Sequence, residues 1–595
     1  MSAVSYWLRN PVTDQPEYLA PSILDSRRLF GPNFFSERAG AVLDVTCQHA
    51  AGARAVEAWP TEVRRLAAAL GWTDTDCATR VSSQSASLFL TAPLDGLLTA
   101  TDLSEHAWVA AEAVIAELDT PDAVPVLREK YTRERQALPH VVAIAQHAHE
   151  RALSFSLDDD GCSVGSGVGV RAVVHSDTAL DDSAEFDDSW DAVRDVPVAL
   201  VTGSNGKTTT TRLVAAMWRA NGQVTGWSCS DGVWVGADQL EAGDYTGPSG
   251  ARRVLCHPRV EAAVLETARG GMLRRGLALN LVHGAVITNI SADHFGEYGV
   301  ETLADLAEVK SIVARALRVE APLVLNADDP SLVVLAAQLG RAVAWFSVTN
   351  HALTHHTSPH THAATVRDGE LWLQCRGTWH TLGAVRGMPI TLDGNARHNI
   401  ANAAAAAVLA SVVGVPVTAI RDTLASFGAT ASDNPGRLMI RSIGGITVVM
   451  DYAHNPDGMA SLCRTAATMP ASRRLLLLGQ AGNRDNAQLH ALAAAAWQTQ
   501  RFDRVIIKEM TAMLRGRQPG EVSAVLMAAL MEAGAAPDAV GMADSELSGV
   551  RDALVWSRAG DVLVLGVHVE RARVLALMDQ LAASGWNAGD GLPTT

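Results

Sequence analysis

From residue 196 onward, short runs of Val, Ile and Leu alternate with longer Ala-rich stretches. This alternation constrains the fold more than any other feature. Such runs are too short for core helices and too uniformly apolar for strands with one wet face, so they read as a parallel sheet covered by helices. Val196 to Thr202, Ala263 to Glu266, Gly284 to Asn289 and Leu323 to Asn326 make one series. Ile446 to Asp451, Leu475 to Gly479, Arg504 to Lys508 and Asp561 to Gly566 make a second. Two successive α/β domains are expected, and a chain of 595 residues exceeds what one hydrophobic core supports. Residues 1 to about 135 mix extended and helical stretches without a catalytic signature. A helix-like stretch from Pro139 to Leu153 precedes a Gly-rich run, Gly161–Gly169. Between Asp177 and Asp195, eight acids stand against one Arg, the texture of a solvated linker. The expected divisions are 1–135, 136–195, 196–430 and 431–595.

Thr202-Gly203-Ser204-Asn205-Gly206-Lys207-Thr208 follows an apolar strand and opens a helix-like stretch, Thr209 to Arg219. Glycines let backbone N–H groups approach phosphate oxygens, and a helix N-terminus adds a positive dipole end. Lys207 can reach the β- and γ-phosphates and the Thr208 hydroxyl can ligate magnesium. Val201 stands where the commoner loop has a further glycine, so this is the shorter G-x-x-G-K-T form. The bland alternative is a Gly turn that happens to precede Lys and Thr.

The loop alone does not separate a ligase from a kinase or ATPase. Glu266 ends an apolar strand, where a carboxylate is placed to bind a metal beside phosphates. Thr288-Asn289-Ile290-Ser291-Ala292-Asp293-His294 closes another strand, and Lys310 follows sixteen residues after His294. Singly these read equally well as a helix-cap acid, a surface histidine and a solvated lysine.

Composition narrows the partners. A net charge of -16 opposes non-specific binding to nucleic acid or anionic membranes. The longest apolar run, Ala403 to Val415, is too short to span a bilayer. Seven cysteines without paired spacing suit reduced thiols, and a cytoplasmic protein is expected. His351, His355, His356, His360 and His362 match no compact metal site and read as a solvated loop.

The order G-x-x-G-K-T, strand-end Glu, N-x-x-x-D-H, Lys, N-A-D-D, H-N-x-x-N, G-R and D-Y-A-H-N-P resembles that of the Mur ligase superfamily. Glu266-Thr267-Ala268-Arg269-Gly270-Gly271, Ile507-Lys508-Glu509 and Leu514-Arg515-Gly516-Arg517-Gln518-Pro519-Gly520-Glu521 look more narrowly like the Mur-type half of cyanophycin synthetases. Arg28-Leu29-Phe30-Gly31-Pro32-Asn33-Phe34-Phe35 and the 139–174 segment resemble pieces flanking the ATP-grasp module of that family, for which this chain has no room. The resemblance implies a multidomain α/β ligase with a small α+β N-terminal domain, a central P-loop domain and a Rossmann-like C-terminal domain. Its expected activity is ADP-forming: a carboxylate is activated as an acyl phosphate and joined to an amine, with ATP and Mg²⁺.

The implied roles follow by position. Gly203, Ser204, Asn205, Gly206, Lys207, Thr208 and Thr209 surround the ATP phosphates. Thr208 and Glu266 hold a first Mg²⁺, and His294 holds a second. Lys310 matches a lysine that Mur ligases often carbamylate, making it an anionic partner of that ion. Asn326, His398, Asn399 and Asn402 line the adenine pocket. Arg437 and Asp451 reach ATP from the C-terminal domain, with Asp451 on the ribose. Arg269, His454 and Arg484 face the substrates, Arg484 in a Gly479-Gln480-Ala481-Gly482-Asn483-Arg484-Asp485 turn that otherwise simply caps a helix. The substrates are a small-molecule or peptide carboxylate and an amino-acid amine, and relatives imply a homo-oligomer. The competing expectations are a plain P-loop kinase or ATPase and a retired scaffold that has lost catalysis.

Overall fold

The computed structural model describes residues 23–47, 50–120, 122–138, 140–174, 190–293, 295–349, 353, 362–430 and 432–593. Described residues 23–28 and 40–136 form one compact unit, and residues 29–39 with 137–593 form another.

In the first unit, strands β1 (Ile23–Leu29), β2 (Gly40–Thr46), β3 (Cys77–Val81) and β4 (Ser85–Thr91) form a sheet in the order β1-β2-β4-β3. β4 pairs antiparallel with both β2 and β3. Helices Ala50–Ala69 and Leu97–Ala116 pack together, and Trp59, fully buried, donates its indole N–H to Ser104 O at 3.1 Å.

The second unit opens with the Phe30–Phe35 stretch. Phe30 N donates to Arg275 O at 3.0 Å and Leu277 N to Pro32 O at 2.8 Å. A side chain on Gly31 would put its Cβ 2.5 Å from Leu277 O, so the close approach requires glycine. The Gly-rich run becomes part of a small antiparallel sheet of β5 (Phe155–Leu157), β6 (Gly161–Val164) and β7 (Arg171–Val174). Most of the acidic run lies outside the described residues, but its last member is no solvated linker residue. The Asp195 side chain is 5% exposed, pairs with Arg318 at 2.9 Å and accepts from Ser154 N at 3.0 Å.

The central sheet has eleven strands: β8 (Val198–Thr202), β9 (Thr225–Cys229), β10 (Gly232–Val235), β11 (Asp238–Ala242), β12 (Ala262–Glu266), β13 (Gly284–Ile287), β14 (Leu323–Asn326), β15 (Val343–Phe346), β16 (Ala363–Arg367), β17 (Glu370–Cys375) and β18 (Thr378–Ala384). Their order is β11-β10-β9-β12-β8-β13-β14-β15-β16-β17-β18. The stretch from β9 to β16 is parallel, and each end turns antiparallel. β8, β9, β12 and β13 are buried along their whole length, which explains the apolar runs of β8, β12 and β13. Helix Arg397–Val412 lies against this sheet with Ala403 to Ala410 fully buried, the small side chains allowing close approach.

The C-terminal sheet runs β19-β20-β24-β21-β22-β23, with β19 (Met439–Ile443), β20 (Ile446–Asp451), β21 (Arg474–Leu478), β22 (Arg504–Lys508), β23 (Val540–Ala543) and β24 (Val562–Gly566). Only β19 is antiparallel to its neighbour. The molecule therefore has a central parallel-sheet domain, a C-terminal α/β domain and a small N-terminal sheet domain. The helical stretch after Thr302 divides: an α-helix covers Leu303–Lys310 and a 3₁₀ turn covers Ser311–Ala316. A Thr302–Asp305 capping box starts the helix, and a bridge from Leu317 to Val282 draws the chain back to the sheet at the far end. Among the described residues no helix is long and apolar enough to cross a membrane.

Candidate active site

Strand β8 ends at Thr202 and helix Lys207–Ala220 begins five residues later, with the glycine loop between them. Gly203 has φ +145° and a Cβ there would lie 1.9 Å from Thr288 Oγ1. Gly206 has φ +83° and its Cβ would lie 2.1 Å from Asn402 Oδ1. Both positions admit glycine only. The end of β13 clamps the loop: Asn289 accepts from Ser204 N through its main-chain oxygen and from Asn205 N through Oδ1, each at 2.9 Å. Thr288 Oγ1 donates to Asn205 O at 2.6 Å. Lys207 curls back to donate to Ser204 O at 3.0 Å.

Thr208 Oγ1 donates to Glu266 Oε2 at 2.8 Å and lies 3.2 Å from Ser230 Oγ. Glu266 is 3% exposed; burial raises its pKa, against the pull of Lys207 and Arg437. A buried carboxylate touching a hydroxyl is a hard-oxygen donor pair, and it fits a divalent cation such as Mg²⁺. Lys310 ends helix Leu303–Lys310 and donates to Gly203 O at 2.8 Å. Burial first, and then Lys207, holds its pKa well below the usual lysine range. His294 lies outside the described residues, as do His351, His355, His356 and His360; His362 meets Ser411 Oγ at 2.7 Å.

A cleft faces this loop. Arg437, Leu438 and the Asp451–His454 loop form its far wall, while His398, Asn399 and Asn402 close one side. Arg437 Nη2 donates to Ser230 Oγ at 2.7 Å, and its guanidinium lies 4.5 Å over the Tyr452 ring. Asp451 accepts from Leu438 N at 2.6 Å, and burial raises its pKa. Burial and Arg464 push His398 down to about 4, so it is neutral near pH 7. Asn402 donates to Asn399 Oδ1 at 3.1 Å, and Asn399 to Ile390 O at 2.9 Å. Asn326 is not among the lining residues; it donates to Thr288 O at 3.1 Å behind the wall.

Arg269, His454 and Arg484 converge on two acids of the loop after β13. Arg269 pairs with Glu297, Arg484 with Asp293 at 2.8 Å, and His454 Nε2 lies 3.6 Å from Asp293 Oδ2. Asn483 joins them, donating to Glu297 at 3.2 Å.

Sequence reasoning missed several members. Asp231 pairs with Arg212 at 2.6 Å and Arg571 at 2.5 Å, tying helix Lys207–Ala220 to helix Arg571–Ser584 of the C-terminal domain. Asn434 bridges Arg212 and Thr209 at 3.2 and 3.1 Å. Asp244 lines the cleft, its Oδ1 held by Thr246. The Gly243-Asp244 and Gly247-Pro248 pairs were the one local signal of a loop there.

Residues 201–410 match the Mur ligase middle domain, and residues 436–566 match the Mur ligase glutamate ligase domain. The chain belongs to the Mur ligase family. This Mur ligase is 38% identical over 335 residues to the cyanophycin synthetase of Crocosphaera subtropica, covering 56% of this chain and 38% of that one. It is 30% identical over 321 residues to the UDP-N-acetylmuramoyl-L-alanyl-D-glutamate–2,6-diaminopimelate ligase of Chlorobaculum tepidum, covering 52% of this chain and 60% of that one. The chain thus spans under two fifths of the length of the cyanophycin synthetase it matches. A folylpolyglutamate synthase/dihydrofolate synthase from Yersinia pestis, complexed with AMPPNP and Mn ion, aligns with a TM-score of 0.46 and 19% identity, covering 64% of this chain and 88% of that one.

Proposed function

We propose that this Mur ligase is an ATP-dependent, ADP-forming enzyme that joins a carboxylate to an amine, with residues 196–430 and 431–595 as its two ATP-contacting domains. The observation that carries the reading is one cleft lined by Lys207, Thr208 and Glu266 on one side and by Arg437 and Asp451 on the other. A kinase or ATPase would have no need of the second wall.

The loop N–H groups and Lys207 bind the phosphates and offset their charge as a negative carboxylate approaches. Thr208 and Glu266 would hold Mg²⁺, which when bound neutralises charge on the phosphate oxygens. Arg437 and Asp451 orient the nucleotide from the far wall. Arg269, Arg484 and His454 orient the two substrates beside it. The carboxylate oxygen attacks the γ-phosphorus, giving an acyl phosphate and ADP. The amine nitrogen then attacks the acyl carbon, the C–O bond breaks, phosphate leaves, and the nitrogen gives up a proton. The cleft wall shields the acyl phosphate from water.

Likeness to cyanophycin synthetases supports an aspartate side-chain carboxylate on a peptide as the acceptor and an amino acid as the amine. Release of ADP from ATP and Mg²⁺ is the test, with aspartyl peptides and a panel of amino acids supplied separately and together. Full turnover is expected only when both are present; release independent of the amine, or none under any mixture, would overturn the reading.

A further inference from the structure

The Asp451–His454 loop forms part of the cleft's far wall, yet two of its own carbonyls point away from the cleft into the C-terminal domain. Ala453 O lies 3.1 Å from His568 Nε2, and His454 O accepts from Gln480 Nε2 at 2.5 Å. Neither His568 nor Gln480 lines the cleft.

Each clamping side chain is itself fixed at its other end. Gln480 Oε1 accepts from Ala481 N at 2.8 Å. His568 Nδ1 lies 3.0 Å from Lys508 Nζ, whose side chain is fully buried. Lys508 also donates to Gly566 O at 2.6 Å and pairs with Glu546, so all three ammonium hydrogens are used. An ammonium cannot accept, so Nδ1 must be the acceptor and the proton sits on Nε2, where it is donated to Ala453 O. Burial and the Lys508 charge keep that imidazole neutral. Glu546 anchors the assembly by accepting from His568 N and Glu570 N, each at 2.7 Å. Gly479 completes the fit: a Cβ there would lie 2.6 Å from Lys508 Cγ. The His568 ring also meets Tyr452 edge-on at 4.9 Å, and the same Tyr452 ring carries Arg437.

We infer that His568 and Gln480 are positioning residues: they clamp two successive carbonyls of the Asp451–His454 loop and so set how Asp451 and Tyr452 meet the nucleotide. The inference rests on the ligase reading, because it takes the cleft to be the nucleotide site. A role in core packing alone would change stability and leave nucleotide affinity untouched. The two carbonyls belong to the residues that form the wall, so loss of either clamp lets the wall itself move.

Calorimetric titration of the full chain with Mg·ADP tests this, beside melting temperatures of the same samples. His568→Phe and Gln480→Met are each expected to weaken ADP binding about tenfold, the scale of one lost hydrogen bond and its disorder. His568→Gln, whose amide keeps a donor, is expected within about threefold of the parent on the same scale. Parent-like affinity in both His568→Phe and Gln480→Met, whatever their melting temperatures, overturns the inference and leaves the ligase reading intact. If His568→Phe does not fold, Gln480→Met decides alone. No ADP binding by the parent overturns both.

Discussion

Lys207 and Lys310 both donate to carbonyls of one loop, Ser204 O and Gly203 O, but their surroundings assign them different work. Lys207 is half-buried on the cleft wall, free to swing onto a phosphate. Lys207→Met should therefore keep the fold and lower ADP formation by about a thousandfold, the scale of a lost charge-assisted contact in a transition state. Parent-like turnover would refute its role. Lys310 is 4% exposed, and its low pKa favours the neutral amine. A neutral amine is the form that reacts with CO₂, so we expect Lys310→Ala to be nearly inactive and partly restored by bicarbonate or acetate. No rescue, with full parent activity in CO₂-free buffer, would end the carbamate proposal. At this scale the sequence was informative where a residue's place depends on neighbours along the chain: Lys207, Thr208 and Asp451 each sit in a short motif, and all three line the cleft. Asp231, Arg212, Arg571, Gln480 and His568 were illegible, because their partners are brought together only when segments far apart in sequence pack.

Among the elements, the loop between β8 and helix Lys207–Ala220 shows how narrowly the site is built. Gly206→Ala would place a methyl group 2.1 Å from Asn402 Oδ1 at a φ that disfavours any side chain. Because Asn402 holds Asn399, and Asn399 holds Ile390 O, the displacement passes into the wall beside the loop. We expect a loss of about 1–3 kcal/mol in stability with a larger loss in ATP affinity, read by denaturant unfolding and nucleotide titration. An unchanged unfolding midpoint would contradict the packing account. Strands β8, β12, β13 and β14 were legible as apolar runs, whereas β9, equally buried but reading Thr-Gly-Trp-Ser-Cys, was not. Helix ends were less so: the apolar period continues past Lys310, but the bridge at Leu317 tightens the chain into a 3₁₀ turn. Asp195 likewise reads as one more acid of a linker until Arg318 is placed beside it by the fold.

At the scale of the molecule, the C-terminal edges of two parallel sheets face a common cleft, as expected for ligands bound at strand ends of open α/β sheets. Asp231 joins an arginine of each sheet's helices, and Asn205 pairs with Asn455 through both amides at 2.9 and 3.2 Å. These ties hold the two walls of the cleft to each other. The pairing of the two domains was legible from the order of motifs; the ties that register them were not, because none has a sequence signature. The central claim is that the carboxylate itself takes the γ-phosphoryl group. It is tested most directly with a carboxylate substrate labelled with ¹⁸O in both oxygens, turned over with ATP and amine in unlabelled water. Mass analysis of the released phosphate should find one ¹⁸O per molecule; unlabelled phosphate would mean that water, not the carboxylate, attacks ATP.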